Sequence, residues 1–328
     1  MRDEVLAGLR RRPKVLAPKL FYDERGAALF DSITRIGEYY LTRTERGILV
    51  EHAREIAACL GPGCVLIEYG SGEAEKVRLI LDHLRGALTP AAYIPIDISA
   101  EQLHRVATEI AAAYPSLPVL PVAADYTDAV ELPPVSFVSR PAPRRVGFFP
   151  GSTIGNLHPP DARAFLHRIA QTCGPGGGLL LGADLKKDPE VLHAAYNDAG
   201  GITAAFNRNV LVRLNRELGA TFDPACFRHY AYYNPIAGRV EMHLVSLGAQ
   251  TVQVAGECVS FERGESIWTE SSYKYTIHEL GLLAAHSGFE VARVWTDPCR
   301  WFAVLYLVVV GREAGCGDLG PRPEGRAG

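Results

Sequence analysis

Cys64-Val65-Leu66-Ile67-Glu68-Tyr69-Gly70-Ser71-Gly72 reads as a short apolar strand running into a glycine turn, followed by a helical stretch from Lys76 to Arg85. Working outward, the same unit repeats. Ala92–Asp97 reads as a second strand, and Ser99 caps a helix that runs to about Tyr114. Leu117–Ala123, ending at Asp125, is a third strand and Arg145–Phe149 a fourth; Asp161–Cys173 is helical and Gly178–Asp184 is a fifth strand. Strands separated by helices at this rhythm predict a doubly wound, Rossmann-like α/β sheet that is mostly parallel.

After Asp188 the texture changes. Pro189–Leu218 reads as mostly helical, and Arg239–Ser246, Thr251–Val254 and Cys258–Phe261 read as antiparallel strands with alternating polarity. The first rhythm returns with a helix at Ile277–Ser287 and strands at Glu290–Thr296 and Phe302–Val310. The expected organisation is therefore a ligand-binding sheet domain (46–187 and 276–312) carrying an inserted α+β domain (188–275), with residues 1–45 packed on the insertion. The Gly- and Pro-rich stretch 313–328 is expected to be disordered.

Composition narrows the function. With 328 residues, 48% hydrophobic and 22% charged, the chain has the makeup of a soluble globular protein. Its net charge of -3 and the absence of a basic run longer than Arg10-Arg11-Arg12 disfavour a nucleic-acid partner. Seven cysteines without a Cys-x-x-Cys pair predict reduced thiols and no metal site. The start of the chain lacks an apolar signal core, and the longest apolar run, Trp301–Val310, reads as a buried strand; a cytoplasmic protein without a membrane segment is expected.

Ligands of doubly wound sheets bind at the carboxyl ends of the strands. Those ends carry the Gly70 turn, Asp97, Asp125-Tyr126 and the turn Pro150-Gly151-Ser152-Thr153-Ile154-Gly155-Asn156. An acid one strand after a glycine turn suits ribose hydroxyls. Pyrophosphate, however, would meet Glu73 and Glu75 just beyond Gly72, which disfavours a dinucleotide and hence a dehydrogenase. A cationic nucleoside free of phosphate, such as S-adenosylmethionine, fits better, with Asp125 near the adenine amino group and Tyr126 on the ring. Asn156 closes its turn either as a helix cap or as a polar hand for a small zwitterion.

The longer motifs carry a resemblance. Phe21-Tyr22-Asp23, Glu38–Glu45, Gly70–Lys76, Pro95–Ser99, Ala124–Tyr126, Phe148–Asn156, Ala195–Asp198, Arg239–Met242 and Thr269–Tyr275 resemble those of the histidine Nα-methyltransferases of ergothioneine biosynthesis. The resemblance implies a class I methyltransferase domain with an inserted substrate domain, acting as a monomer that uses S-adenosylmethionine to trimethylate L-histidine. It implies cofactor contacts at Gly70, Lys76, Asp97, Asp125 and Tyr126. Asn156 and Tyr196 match the clamp on the substrate carboxylate, Glu270 and Ser272 the pair that holds the imidazole, and Met242 a residue beside them. Tyr39 and Tyr22 match the phenols at the α-amine, here assigned as catalytic. Departures from the family pattern are Tyr126 in place of Phe, Ala74 and Val77 in place of hydroxyl residues, and Trp268 in place of His or Arg. With Glu270 and Ser272 on one strand face, Trp268 is expected on the same face, re-lining the side-chain pocket. The alternative is the same chemistry on tryptophan or a derivative; a cofactor-binding protein without activity would not need both halves of a substrate site.

Overall fold

The computed structural model describes residues 1–72, 74–135 and 143–311, so the expected disordered stretch 313–328 lies outside the described residues. In chain order its strands are β1 Lys14–Val15, β2 Val65–Tyr69, β3 Ala92–Asp97, β4 Val122–Ala123, β5 Arg145–Phe149, β6 Gly178–Asp184, β7 Phe227–Asn234, β8 Arg239–Ser246, β9 Gln250–Val254, β10 Glu257–Phe261, β11 Ser266–Tyr273, β12 Phe289–Thr296 and β13 Phe302–Val309. The α-helices are α1 Arg2–Leu9, α2 Glu24–Arg35, α3 Leu41–Glu51, α4 Ala53–Leu60, α5 Ala74–Leu81, α6 Ala100–Ala113, α7 Pro159–Cys173, α8 Pro189–Tyr196, α9 Ile202–Leu218 and α10 Ile277–His286.

Seven strands form one sheet in the order β12-β13-β6-β5-β2-β3-β4. The pairs from β6 to β4 are parallel, and β13 returns antiparallel to β6 and to β12. All five residues of β2 and all seven of β6 are buried, as central strands covered on both faces require. Alternation divides β2 between two cores: Val65, Ile67 and Tyr69 pack with the α7 and α10 residues, while Leu66 joins the core of α3, α4 and α5. Chain order reverses between β2 and β5, so a crevice opens at their carboxyl ends, where Gly70 and Pro150 stand.

The second sheet, in the order β1-β11-β8-β7, is the inserted layer. Lys14–Val15 pairs in parallel with Ile267–Trp268, and α2 packs on α9. Phe206 of α9 and Met242 of β8 belong to the same continuous core as Leu66.

The structure corrects two local expectations and adds detail to others. The third strand shrinks to Val122–Ala123 with an isolated bridge between Val119 and Tyr93, because Pro118 and Pro121 cannot donate to a ladder. The first crossover helix begins at Ala74 and ends at Leu81. Pro189–Leu218 is two helices, separated where Gly201 takes a left-handed conformation (φ 70°). β7, with partly exposed Tyr, His and Arg along its length, is a strand that the sequence reading did not place. Among the described residues no helix is long and apolar enough to cross a membrane, and no cluster of three metal-ligating side chains occurs.

Candidate active site

The crevice at the ends of β2, β3 and β5 gathers the residues expected for the cofactor. Gly70 has φ 80°, and a Cβ there would lie 3.4 Å from Cε1 of Tyr126, so the backbone and this ring form one surface. The Tyr126 ring is braced edge-on by Phe149 and obliquely by Phe165, at 5.8 and 5.7 Å. The amides of Gly70 and Ser71 donate to Ile96 O at 2.8 and 3.2 Å, which fixes the turn against β3. Asp97 Oδ1 accepts from Ser99 N at 2.9 Å, and burial raises its pKa. Asp125 Oδ1 accepts from Thr127 N at 3.0 Å, while Oδ2 faces Lys19 Nζ at 3.7 Å, so the segment before α2 reaches across to the crevice. Beneath the turn, burial pushes Glu68 up to about 8, and its carboxyl accepts from the Tyr93 hydroxyl.

Lys76 has the anionic partner its position called for, but that partner belongs to the chain. Its Nζ lies 2.6 Å from Oε2 of buried Glu45, which also accepts from Gly151 N at 2.8 and 3.0 Å. This ion pair ties α5 to the Pro150 turn. Glu75 is turned away to Arg46 at 2.6 Å, and Glu73 lies outside the described residues. Ala74 and Val77, the departures beside Lys76, are buried in the core.

The Pro150 turn is built by a left-handed pair, Gly151 (φ 79°) and Ser152 (φ 58°), and continues as a 3-10 turn over Thr153–Asn156. Ser152 Oγ accepts from Asp184 N at 2.9 Å. A Cβ on Gly155 would stand 2.7 Å from Tyr273 O, so only glycine lets this turn dock on β11. Asn156 is therefore carried to the edge of the inserted sheet. The cap position before α7 belongs to His158, so the cap reading of Asn156 does not hold.

β11 supplies the other wall, and a bulge sets its aim. Trp268 pairs with His243 and Glu270 with Met242, leaving Thr269 as the extra residue. The Trp268 indole N–H donates to Glu270 O at 2.8 Å, and the Thr269 hydroxyl lies 3.0 Å from Met242 O, so side chains hold the bulge in place. The bulge overturns the expectation for Trp268. Successive residues of β8 face opposite ways, so Trp268 lies on the His243 face and Glu270 on the Met242 face. Trp268 stacks on His243 at 6.1 Å, under the Arg239 guanidinium at 4.3 Å, away from Glu270. Beyond the bulge the alternation resumes, and Glu270 and Ser272 share a face as expected, opposite Met242 and Val240.

Tyr196, at the end of α8, donates from its hydroxyl to Ser272 Oγ at 2.8 Å. Tyr39 and Tyr196 meet edge to face at 6.3 Å, and Phe30 stands between Tyr22 (5.8 Å) and Tyr39 (6.3 Å). Burial raises the pKa of Tyr22, Tyr39 and Tyr196 well above the ordinary phenol value, and the charge of Glu270 opposes ionisation of all three. Tyr22, 38% exposed, packs its ring edge-on against Phe30 and Phe206, at 5.8 and 5.9 Å. Burial lifts Glu270 to about 7, and only the charge of Lys274 opposes the rise; no donor among the described residues relieves the carboxylate.

Sequence reasoning overlooked five charged or phenolic residues behind this space. Asp184 accepts from Tyr40 (2.8 Å), Lys187 (2.6 Å) and Lys274 (2.8 Å), all within the interior. Glu45 completes the set. Tyr40, Glu45 and Lys274 lie inside motifs that the sequence displays, and Asp184 ends a wholly buried strand, so an acid closing an apolar run was the available signal.

A profile of the family described as "Histidine-specific methyltransferase, SAM-dependent" matches residues 1–309. The histidine N-alpha-methyltransferases of Mycolicibacterium smegmatis and Mycobacterium tuberculosis are 43% and 42% identical, over 94% and 93% of this chain and equal shares of their own. Ergothioneine biosynthesis protein 1 of Neurospora crassa is 31% identical over 87% of this chain, which spans 32% of that larger protein. The chain belongs to the S-adenosylmethionine-dependent, histidine-specific methyltransferase family.

Proposed function

We propose that the protein methylates the α-amine of L-histidine from S-adenosylmethionine, giving trimethylhistidine for ergothioneine synthesis. One observation carries the reading: Glu270 is a half-buried carboxylate that no donor among the described residues reaches, on the same strand face as the Ser272 hydroxyl. Imidazole offers one N–H and one acceptor nitrogen, which complement this pair. An indole would leave Ser272 unmatched, and Trp268 faces away, so nothing about the pocket favours tryptophan.

The crevice fits an adenosyl cofactor. The Gly70–Tyr126 surface would receive the adenosine, Asp97 the ribose, Asp125 the adenine amino group, and Lys76, through its exposed share, the carboxylate. When bound, the cofactor supplies an electrophilic methyl on a sulfonium. Domains 46–187 with 276–312, and 1–45 with 188–275, would hold cofactor and amino acid respectively. Asn156 and Tyr196 would grip the substrate carboxylate, and Met242 would pack beside Glu270. This anchoring aims the amine, and positioning of this kind is worth on the order of 7–11 kcal/mol. Tyr39 and Tyr22 keep their protons at neutral pH, so they orient the amine through their oxygen lone pairs and relay its proton; they do not act as phenolates. The six described cysteines are all free, in keeping with a cytoplasmic enzyme, which we expect to be monomeric.

Calorimetric titration of amino acids in the presence of S-adenosylhomocysteine, with mass spectrometry of products, tests the assignment. Histidine binding and trimethylhistidine formation are expected; tryptophan binding in place of histidine would overturn it.

A further inference from the structure

Lys274 follows β11 and is fully buried, with three partners for its three N–H groups. It donates to Tyr196 OH at 3.0 Å, to Ser272 Oγ at 2.9 Å and to Asp184 Oδ2 at 2.8 Å. An ammonium only donates, so both hydroxyl oxygens are used as acceptors toward it. Tyr196 also donates to Ser272 Oγ, which then accepts twice and keeps its own hydrogen free.

We propose that Lys274 is a positioning residue that biases Tyr196 and Ser272 to donate toward the amino acid and places a positive charge behind the carboxylate clamp. The inference rests on the roles proposed above for Tyr196 and Ser272. Its physical content is one of direction. A hydroxyl ordinarily turns to suit either a donor or an acceptor; with the ammonium held against one lone pair, each of these is biased to offer its hydrogen. Tyr196 parks its hydrogen on Ser272 until a carboxylate arrives, and Ser272, still accepting from Lys274, keeps its own hydrogen available for a ring nitrogen with a lone pair. Asp184 anchors the ammonium, and Lys187 and Tyr40 satisfy the rest of Asp184, so the charge cannot swing away. Specificity for a nitrogen acceptor thus begins in the sheet domain, at the end of β6.

The test compares Lys274→Met and Lys274→Gln with the unaltered enzyme. In Lys274→Met the KM for histidine should rise about 100-fold, with kcat falling less than about 10-fold, and S-adenosylhomocysteine affinity should be unchanged, which reports an intact fold. The preference for histidine over histidinamide should collapse, an effect that a merely structural lysine would not produce. Lys274→Gln, which keeps donors but no charge, should recover part of the KM and none of that preference. The unaltered enzyme supplies an independent arm: 2- and 3-pyrrolylalanine, which replace the acceptor nitrogen by CH, should bind about 100-fold more weakly than histidine. Unchanged KM and histidinamide discrimination in a folded variant, or pyrrolylalanine binding as tight as histidine, overturns the inference. Failure of the unaltered enzyme to bind histidine would instead refute the proposed function.

Discussion

Replacing Glu270 by Gln should make the ligand-free enzyme more stable while disabling it. Burial raises the carboxyl from 4.5 to about 7. A group whose folded pKa is raised contributes stability that is complete below its unfolded value and is lost as pH rises through the folded one. The native protein therefore carries a growing cost from Glu270 between pH 4.5 and about 7, which a glutamine avoids. At about 1.4 kcal/mol per pH unit, Glu270→Gln should be more stable by ~1.4 kcal/mol at pH 5.5 and by ~3 kcal/mol at pH 8. Urea unfolding of both proteins at the two pH values reads this directly, since every other titration cancels in the difference. Histidine binding should fall roughly 100-fold, because a charged acceptor for the imidazole N–H is lost. A stability difference equal at the two pH values within ~0.5 kcal/mol would refute the claim that Glu270 is a strained, uncompensated carboxylate. The trade is the one expected of an active site, where stability is given up until substrate arrives.

Four further outcomes follow from the geometry. Tyr39→Phe should lower kcat roughly 100-fold with little change in histidine KM, measured by steady-state kinetics; full kcat would remove Tyr39 from the proton path. Asn156→Asp should abolish histidine binding in calorimetry while S-adenosylhomocysteine still binds, because it sets anion against anion. Gly155→Ala should cost about 1–3 kcal/mol in unfolding experiments and weaken histidine binding, since the new methyl meets Tyr273 O at 2.7 Å. Trp268→His should cost ~1 kcal/mol through the lost bond to Glu270 O and leave the histidine-to-tryptophan preference within about threefold of its original value.

The sequence was most legible where local pattern and burial coincide. The apolar runs of β2, β3, β5 and β6, the glycine turn at Gly70 and the cap at Ser99 are nearest-neighbour facts, and they were enough to specify a doubly wound sheet and the crevice at its strand ends. The motifs likewise displayed the residue types that the chemistry needs. They could not display pairing across the chain. Lys76 looked like a lysine awaiting a ligand, yet Glu45, 31 positions earlier, already neutralises it. Strand alternation put Trp268 beside Glu270, and a single extra residue, Thr269, reversed it, because a bulge is a property of two strands rather than of one.

From local pattern alone came the order of elements and the residue types proposed for the site: a nucleoside crevice, two phenols, and a carboxylate and a hydroxyl two residues apart. Tertiary structure alone decided which way those groups point and what state they hold. It brought α8, the 3-10 turn at Asn156 and β11 together, set Lys274 and Asp184 beneath Tyr196 and Ser272, and left Glu270 half-buried without a donor among the described residues. Proton positions and pKa values depend on distances of a few ångströms between residues 90 or more positions apart, Asp184 and Lys274 or Tyr40 and Asp184 among them, and no local sequence pattern encodes those distances.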